Sequence, residues 1–543
     1  MNMSEELDYE KVYREWKWRI PEKYNIGRDV VDKHAESKER KNRVALYCEN
    51  ERGDEKKLTF ADFKSLSNKF GNALLELGIK KNDRFLIRLS NVPEFQVSFI
   101  GGLKIGAVPI PSSVLFRPKE IEYRINDSGA RAVVTTPEYV NEVEEIKDVC
   151  KTLENIIVVG ETSRDQISYK ELMKPSPENL EIADTKSNDM AFFCYTSGTT
   201  GSPKGTVHLH RWLLGNDPSA LYWQAYQDDD IAAHTGALSW IFTLGNGFLY
   251  AWRQGVSTLL YDGRFDPEKW FSLIEKYHIT NFASVPTCYR MLVAVKGAED
   301  RYNLSSLRHC ISAGEPLNPE VVIKWKRRFG VDIVDGIGMT EMMVYTGVKG
   351  IKVKPGSMGR LQPGHVCSIV DPNGNELPPG TDGTIGVRGD DPGLFKEYWN
   401  KPEATKESFK RGWFMTGDIA RVDEDGYYWF LGRGDDLIKA SGYRISPFEV
   451  ESAVNSHPAV LESAAIASPD PTRGAIVKSF VVLKKGQGPS EKLAKEIQEH
   501  VKKVAAPYMY PRAIEFVNEL PKTQSGKIMR KVLREGESTK AKK

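Results

Sequence analysis

The chain has 543 residues, too many for one compact core, so two or more domains are expected. Its 76 Lys and Arg nearly balance 74 Asp and Glu, which argues against a whole-chain electrostatic grip on nucleic acid. Apolar runs such as 99–111 are broken by Gly and Lys and are too short to span a bilayer. The charged start, MNMSEELDYEKVYREW, has no apolar signal segment. Six scattered cysteines (Cys48, Cys150, Cys194, Cys288, Cys310, Cys367) form no CxxC pair, so a reduced cytoplasmic setting is expected.

In chain order, residues 58–78 predict an amphipathic helix, with Phe60, Phe63, Leu66, Phe70, Leu74 and Leu77 at three- and four-residue spacings. A strand over 85–89 follows, then a helix from Pro93 and a strand over 107–111. A charged helix near 118–126, a strand over 132–136, a helix near 138–154 and a strand over 156–159 continue the alternation. Helices alternating with wholly apolar strands indicate α/β layers on largely parallel sheets. Residues 353–393 are rich in Pro, Gly and turn signals, which suits short antiparallel strands in a small β subdomain. From about 436 a separate small domain of mixed helix and strand is expected, and the polar tail REGESTKAKK reads as disordered. No internal repeat is visible.

One stretch, YTSGTTGSPKGTVH at 195–208, has no use in a core. It follows an apolar run, Met190 to Tyr195, that predicts a buried strand. Glycines let backbone N–H groups approach phosphate oxygens, hydroxyls donate hydrogen bonds, and Lys204 adds a positive charge. The pattern GxxxxGK[ST] is absent, which disfavours a Walker-type nucleoside triphosphatase. Taken alone, the stretch reads first as a flexible surface loop.

The stretch resembles the phosphate-binding signature of the adenylate-forming enzymes: acyl-CoA synthetases, adenylation domains and luciferases. Four further segments match that family in order: DGIGMTE at 335–341, WFMTGD at 413–418, GRGDDLIKASGYRISPFEVE at 432–451 and PKTQSGKIMRK at 521–531. Within the family the chain is most similar to the medium-chain acyl-CoA synthetases, by the style of PEKYNIGRDVVDKHA at 21–35 and APYMYPRAIEFV at 506–517.

The resemblance implies a large N-terminal domain of layered α/β sheets with a small β subdomain, residues 1–434. A mobile α+β C-terminal domain, residues 435–543, is hinged to it at Asp435. It implies an AMP-forming acid–thiol ligase of fatty acid metabolism, with ATP, Mg²⁺ and coenzyme A as cofactor and cosubstrates. The acid's carboxylate attacks the α-phosphate of ATP, and the coenzyme A thiol then displaces AMP. The acid expected is short- to medium-chain, branched or aromatic. An enzyme that loads a carrier-protein thiol, and an inactive nucleotide-binding regulator, are the alternatives. The implied partners are these small molecules, with no nucleic acid and no integral membrane segment. Homo-oligomerisation stays open, as does acylation of Lys527.

The resemblance also implies roles, residue by residue. Thr196, Ser197, Gly198, Thr199, Thr200, Gly201 and Lys204 match the loop that holds the β- and γ-phosphates. Gly314, Glu315 and Pro316 line one side of the adenine, and Asp335, Gly336 and Ile337 the other. The family usually carries an aromatic where this chain has Ile337, so apolar contact replaces stacking there. Thr340 donates to a phosphate oxygen and Glu341 holds Mg²⁺; a helix N-cap is the plain alternative for this pair. Asp418 accepts the ribose hydroxyls, and Arg433 contacts ribose and phosphate. Lys527 bridges the carboxylate and α-phosphate during adenylation. Lys439, Gly442 and Arg444 belong to the thioester-forming pose. Trp240, Ile241, Phe242 and Gly338 line the acid pocket. Gly338 either leaves its floor open where acetate-specific relatives carry Trp, or serves backbone geometry alone.

Overall fold

The computed structural model describes residues 7–163, 165–196, 203–434, 436–440, 443–470, 474–505, 509–523 and 527–541. The expected alternation builds a five-stranded parallel sheet. Its order is Val108–Pro111, Arg84–Ile87, Ala132–Thr135, Asn155–Val158, Ile167–Ser168. The helix Phe60–Glu76 packs against Pro93–Lys104 beside this sheet. It starts where the sequence places a cap: the Thr59 hydroxyl accepts from the Asp62 amide, and the Asp62 carboxylate accepts from the Thr59 amide.

A second sheet has seven strands in the order Ile333–Asp335, His309–Ser312, Asn281–Ser284, Ile231–His234, Ser257–Asp262, Val44–Asn50, Glu55–Thr59. All neighbours are parallel except the last pair, a hairpin. Its apolar strands are covered on one side by the helices Pro267–Tyr277, Pro286–Ala294 and Pro319–Phe329, around Trp270, Phe282 and Trp325. The turn-rich region forms antiparallel strands as expected, Cys367–Val370 with Gly383–Arg388, and extends to Trp413–Val422 and Tyr428–Arg433. The chain after 436 has a core of its own around Ile438, Val450, Val454, Val481 and Ile497.

Two expectations fail. The helix near 138–154 is reduced to Asn141–Glu144 and a 3₁₀ turn, Lys147–Val149. Val140, Val143, Ile146, Cys150 and Leu153 still all reach one apolar cluster, as the spacing predicts, but on an irregular backbone. The tail is ordered through 541, in the helix Arg530–Ala541. Glu537, 7% exposed, is bound there by Lys478 at 2.8 Å and the Ser468 hydroxyl at 3.1 Å. A composition-based reading cannot see that tertiary anchor. Among the described residues no helix is long and apolar enough to cross a membrane.

Candidate active site

In open parallel sheets, ligands bind beyond the carboxyl ends of the strands. Here Ser284, Ser312 and Asp335 end three adjacent strands and stand in register, with Thr235 hydrogen-bonded to Ser284 at 2.7 Å. Gly314, Glu315 and Pro316 follow the second of these strands, and DGIGMTE grows out of the third. Several polar atoms at this rim are buried without a partner: the Ser312 hydroxyl, one oxygen of Asp335 and one oxygen of Glu315. Burial pushes the Asp335 carboxyl well above the usual carboxylate range, and the Gly336 amide opposes that only in part. The other Glu315 oxygen accepts from the Thr287 hydroxyl at 2.7 Å. Unpaired buried acceptors suit a ligand with N–H donors, as a purine base is.

The segment after Asp335 is a tight antiparallel ladder, Gly338–Met339 against Met343–Val344. A Cβ on Gly338 would lie 2.2 Å from the Met343 carbonyl oxygen, and one on Gly336 2.8 Å from that of Thr346. Both glycines are therefore required by backbone approach. This is the plain alternative raised for Gly338, so an open pocket floor does not follow from it. Ile337 is 9% exposed and packs among Met342, Tyr345 and Met358, which leaves little of it for an adenine face. Thr340 stands half-buried at the turn of the ladder.

Glu341 is 7% exposed. Its carboxylate accepts from the Tyr398 hydroxyl at 2.7 Å, and its carbonyl accepts from the Phe395 amide at 2.7 Å. The Lys204 ammonium lies 4.1 Å from the centroid of the same tyrosine ring. Lys204 and Thr196 face each other at the turn end of the hairpin Met190–Thr196 and Lys204–Leu209. The fold thus brings Lys204, at the end of the Gly/Ser/Thr-rich stretch, and Glu341 to the same tyrosine. Among the described residues no group of three or more His, Cys, Asp or Glu side chains could hold a metal by itself. One buried carboxylate beside a lysine fits Mg²⁺ shared with phosphate oxygens, as that ion prefers.

Asp418 and Arg433 are cross-strand neighbours and form an ion pair at 2.8 Å. The Asp418 side chain is 8% exposed while that of Arg433 is 41% exposed, so the guanidinium reaches solvent over a buried acceptor. At the other end of the site Trp240 is half-buried and meets Phe116 edge-on at 6.5 Å. It precedes the short helix Ile241–Leu244, where Ile241 and Phe242 are half-buried. Phe242 packs on the cluster of Trp223, Ala283, Ile311, Val334 and Val344. Its ring lies 4.5 Å from that of His234, edge to face. Burial holds the His234 imidazole down at about 3 and neutral, with its Nδ1 accepting from the Gly236 amide at 2.9 Å.

Lys527 is exposed, its amide donating to the Thr523 hydroxyl at 3.1 Å. Among the described residues no hydrogen bond or ion pair joins its side chain to Thr340, Glu341 or Asp418. Ser197, Gly198, Thr199, Thr200, Gly201, Asp435 and Gly442 lie outside the described residues, as do the side chains of Lys439 and Arg444, whose backbones pair across a hairpin. Sequence reasoning missed Tyr398, Thr235, His234, Ser284 and Ser312. The last three end short strands of the seven-stranded sheet that the sequence reading did not assign.

Comparison with known proteins identifies the family. The family model for AMP-binding enzymes matches residues 32–399, and that for the AMP-binding enzyme C-terminal domain matches residues 449–527. The human mitochondrial acyl-coenzyme A synthetase ACSM3 is 40% identical over 543 residues, 98% of this chain and 92% of the relative. The acetyl-coenzyme A synthetase of Bacillus subtilis is 39% identical, over 97% of this chain and 94% of the relative. The crystal structure of the anthranilate CoA ligase AuaEII in complex with anthranoyl-AMP superposes with a TM-score of 0.90 at 34% identity. It covers 96% of this chain and 99% of that one. With both family models matched in order and a relative aligned along nearly its whole length, the chain belongs to the AMP-binding enzymes, among the acyl-CoA synthetases.

Proposed function

We propose that this AMP-forming carboxylate–CoA ligase activates a short- to medium-chain, branched or aromatic acid. The relatives act, by their names, on acids from acetate to anthranilate, so membership alone does not choose the acid. The observation that carries the reading is Phe242, set on Trp223, Ile311 and Val344 beside Trp240. That wall is apolar and bulky, so each methylene buried against it gains about 0.8 kcal/mol, and a long straight chain meets Phe242.

In this reading Asp335, Gly336, Gly314, Glu315 and Pro316 surround the adenine, with Ile337 packed behind them. Asp418 accepts the ribose hydroxyls, and Arg433, already oriented by that carboxylate, contacts ribose and phosphate. Thr196 to Gly201 and Lys204 hold the β- and γ-phosphates, and Thr340 donates to the α-phosphate. Mg²⁺, held by Glu341, would neutralise phosphate charge when bound. The acid's carboxylate oxygen forms a bond to the α-phosphorus as the bond to pyrophosphate breaks. Lys527, carried in by the C-terminal domain, offsets the charge that builds in that step. The domain of residues 435–543 then turns about Asp435. Lys439, Gly442 and Arg444 replace Lys527 at the site, and the coenzyme A sulfur attacks the acyl carbon and expels AMP. A cytoplasmic enzyme fits the six free cysteines, four of them buried.

The test incubates the protein with ATP, Mg²⁺ and a panel of acids from acetate to dodecanoate, with branched and benzoic acids, with and without coenzyme A. AMP and acyl-CoA should form best with acids of about four to eight carbons or one ring, given the bulk of Phe242. A maximum at acetate or at dodecanoate overturns the assignment of the acid. AMP formed only with a carrier protein present overturns the choice of thiol.

A further inference from the structure

We propose that Tyr398 is a positioning residue that sets the Glu341 carboxylate and the Lys204 ammonium at a fixed separation, so that metal and phosphates are received together. The proposal rests on the reading of Glu341 as the Mg²⁺ carboxylate and Lys204 as a phosphate cation.

Tyr398 is 5% exposed and its backbone is pinned on several sides. It pairs with Thr206 on the edge of the hairpin that ends in the phosphate loop. The flanking Lys396 and Trp399 amides donate to the Val207 and Gly205 carbonyls, each at 2.8 Å, and the Tyr398 amide donates to the Thr405 hydroxyl at 2.9 Å. A ring held this way has little freedom, and both of its chemical features are in use. The hydroxyl donates to Glu341 at 2.7 Å, and the face carries Lys204 at 4.1 Å. A hydrogen bond to a carboxylate fixes its orientation, and the negative face of a ring holds a cation in place over it. The Phe395 amide, three residues away, holds the Glu341 backbone, so one short segment sets both ends of that residue. Without the ring, Lys204 and Glu341 would be drawn into a direct ion pair, which occupies the groups the ligand needs.

The test measures ATP affinity by calorimetry in EDTA and across a Mg²⁺ titration, for the wild type, Y398F, Y398L and E341Q. Y398F keeps the ring and loses only the hydroxyl. Its ATP affinity in EDTA should match the wild type within about twofold, while the Mg²⁺ concentration that half-tightens ATP binding rises about five- to tenfold. Y398L should also weaken binding in EDTA, by about three- to fivefold, because Lys204 loses its ring. E341Q should raise the Mg²⁺ half-point at least as far as Y398F. A Y398F half-point equal to wild type, with E341Q raised, overturns the role of Tyr398. Equal loss in EDTA and in Mg²⁺ for Y398F also overturns it, since it marks a merely structural tyrosine. An E341Q half-point equal to wild type instead refutes the underlying reading of Glu341.

Discussion

Gly338 faces the backbone of Met343 and Val344 so closely that even a methyl group would overlap it. Gly338→Ala should therefore destabilise the protein by about 1–3 kcal/mol, the usual cost of overpacking, and Gly338→Trp by more. Thermal melts read this directly. Activity should fall for every acid in the panel; a Gly338→Trp protein that melts like wild type and prefers acetate would restore the residue to the pocket floor. At this scale short, ordered signatures single out Glu341 and Asp418 as candidates, and both are buried. Tyr398 was not legible. It lies 57 residues from Glu341 in the chain and meets it only when the small hairpin sheet closes over the DGIGMTE turn.

One side chain of the strand Val44–Asn50 gathers three donors from the helix Pro267–Tyr277. Glu49, 1% exposed, accepts from Lys269 at 2.6 Å, Lys276 at 2.7 Å and the Tyr277 hydroxyl at 2.7 Å. Burial opposes its ionisation, but these donors prevail and hold its carboxyl down at about 2. A carboxyl depressed in the folded state stabilises above its unfolded value of about 4.3 and loses that contribution as pH falls toward the folded value. Glu49→Gln should cost about 1–3 kcal/mol at pH 7, since both lysines can turn to water. The gap from wild type should close between about pH 4 and pH 2, read by denaturant titration at each pH. A gap that persists at pH 2 would show that packing, not charge, holds the pair. Periodicity found the helix Phe60–Glu76 because one face is buried along its length. It overstated the helix near 138–154, where the apolar residues share one cluster but the backbone forms only Asn141–Glu144 and Lys147–Val149.

Across the whole molecule, the chain beyond 436 buries its own apolar residues. Among its contacts with the larger part, Gly432 lies beside Pro447. Residues 1–434 made alone should fold and bind ATP within about threefold of the full chain, yet form no acyl-adenylate in pyrophosphate exchange. Lys527→Ala in the full chain should lower that exchange by about 10²–10³ and still convert supplied acyl-adenylate and coenzyme A to thioester. Equal loss of both half-reactions in Lys527→Ala refutes its assigned part, and a competent 1–434 fragment refutes the division of labour.

By itself the sequence determined the α/β layering and the order of the family's motifs along the chain. Those depend on local periodicity, turn chemistry and contiguous residues. Only the tertiary structure decided that Gly338 serves a backbone contact, that Phe242 stands on Trp223, that the tail is anchored by Glu537, and that Tyr398 joins Lys204 to Glu341. Each of those rests on groups far apart in the chain, whose meeting is set by how sheets and hairpins close over one another, and no local pattern encodes that.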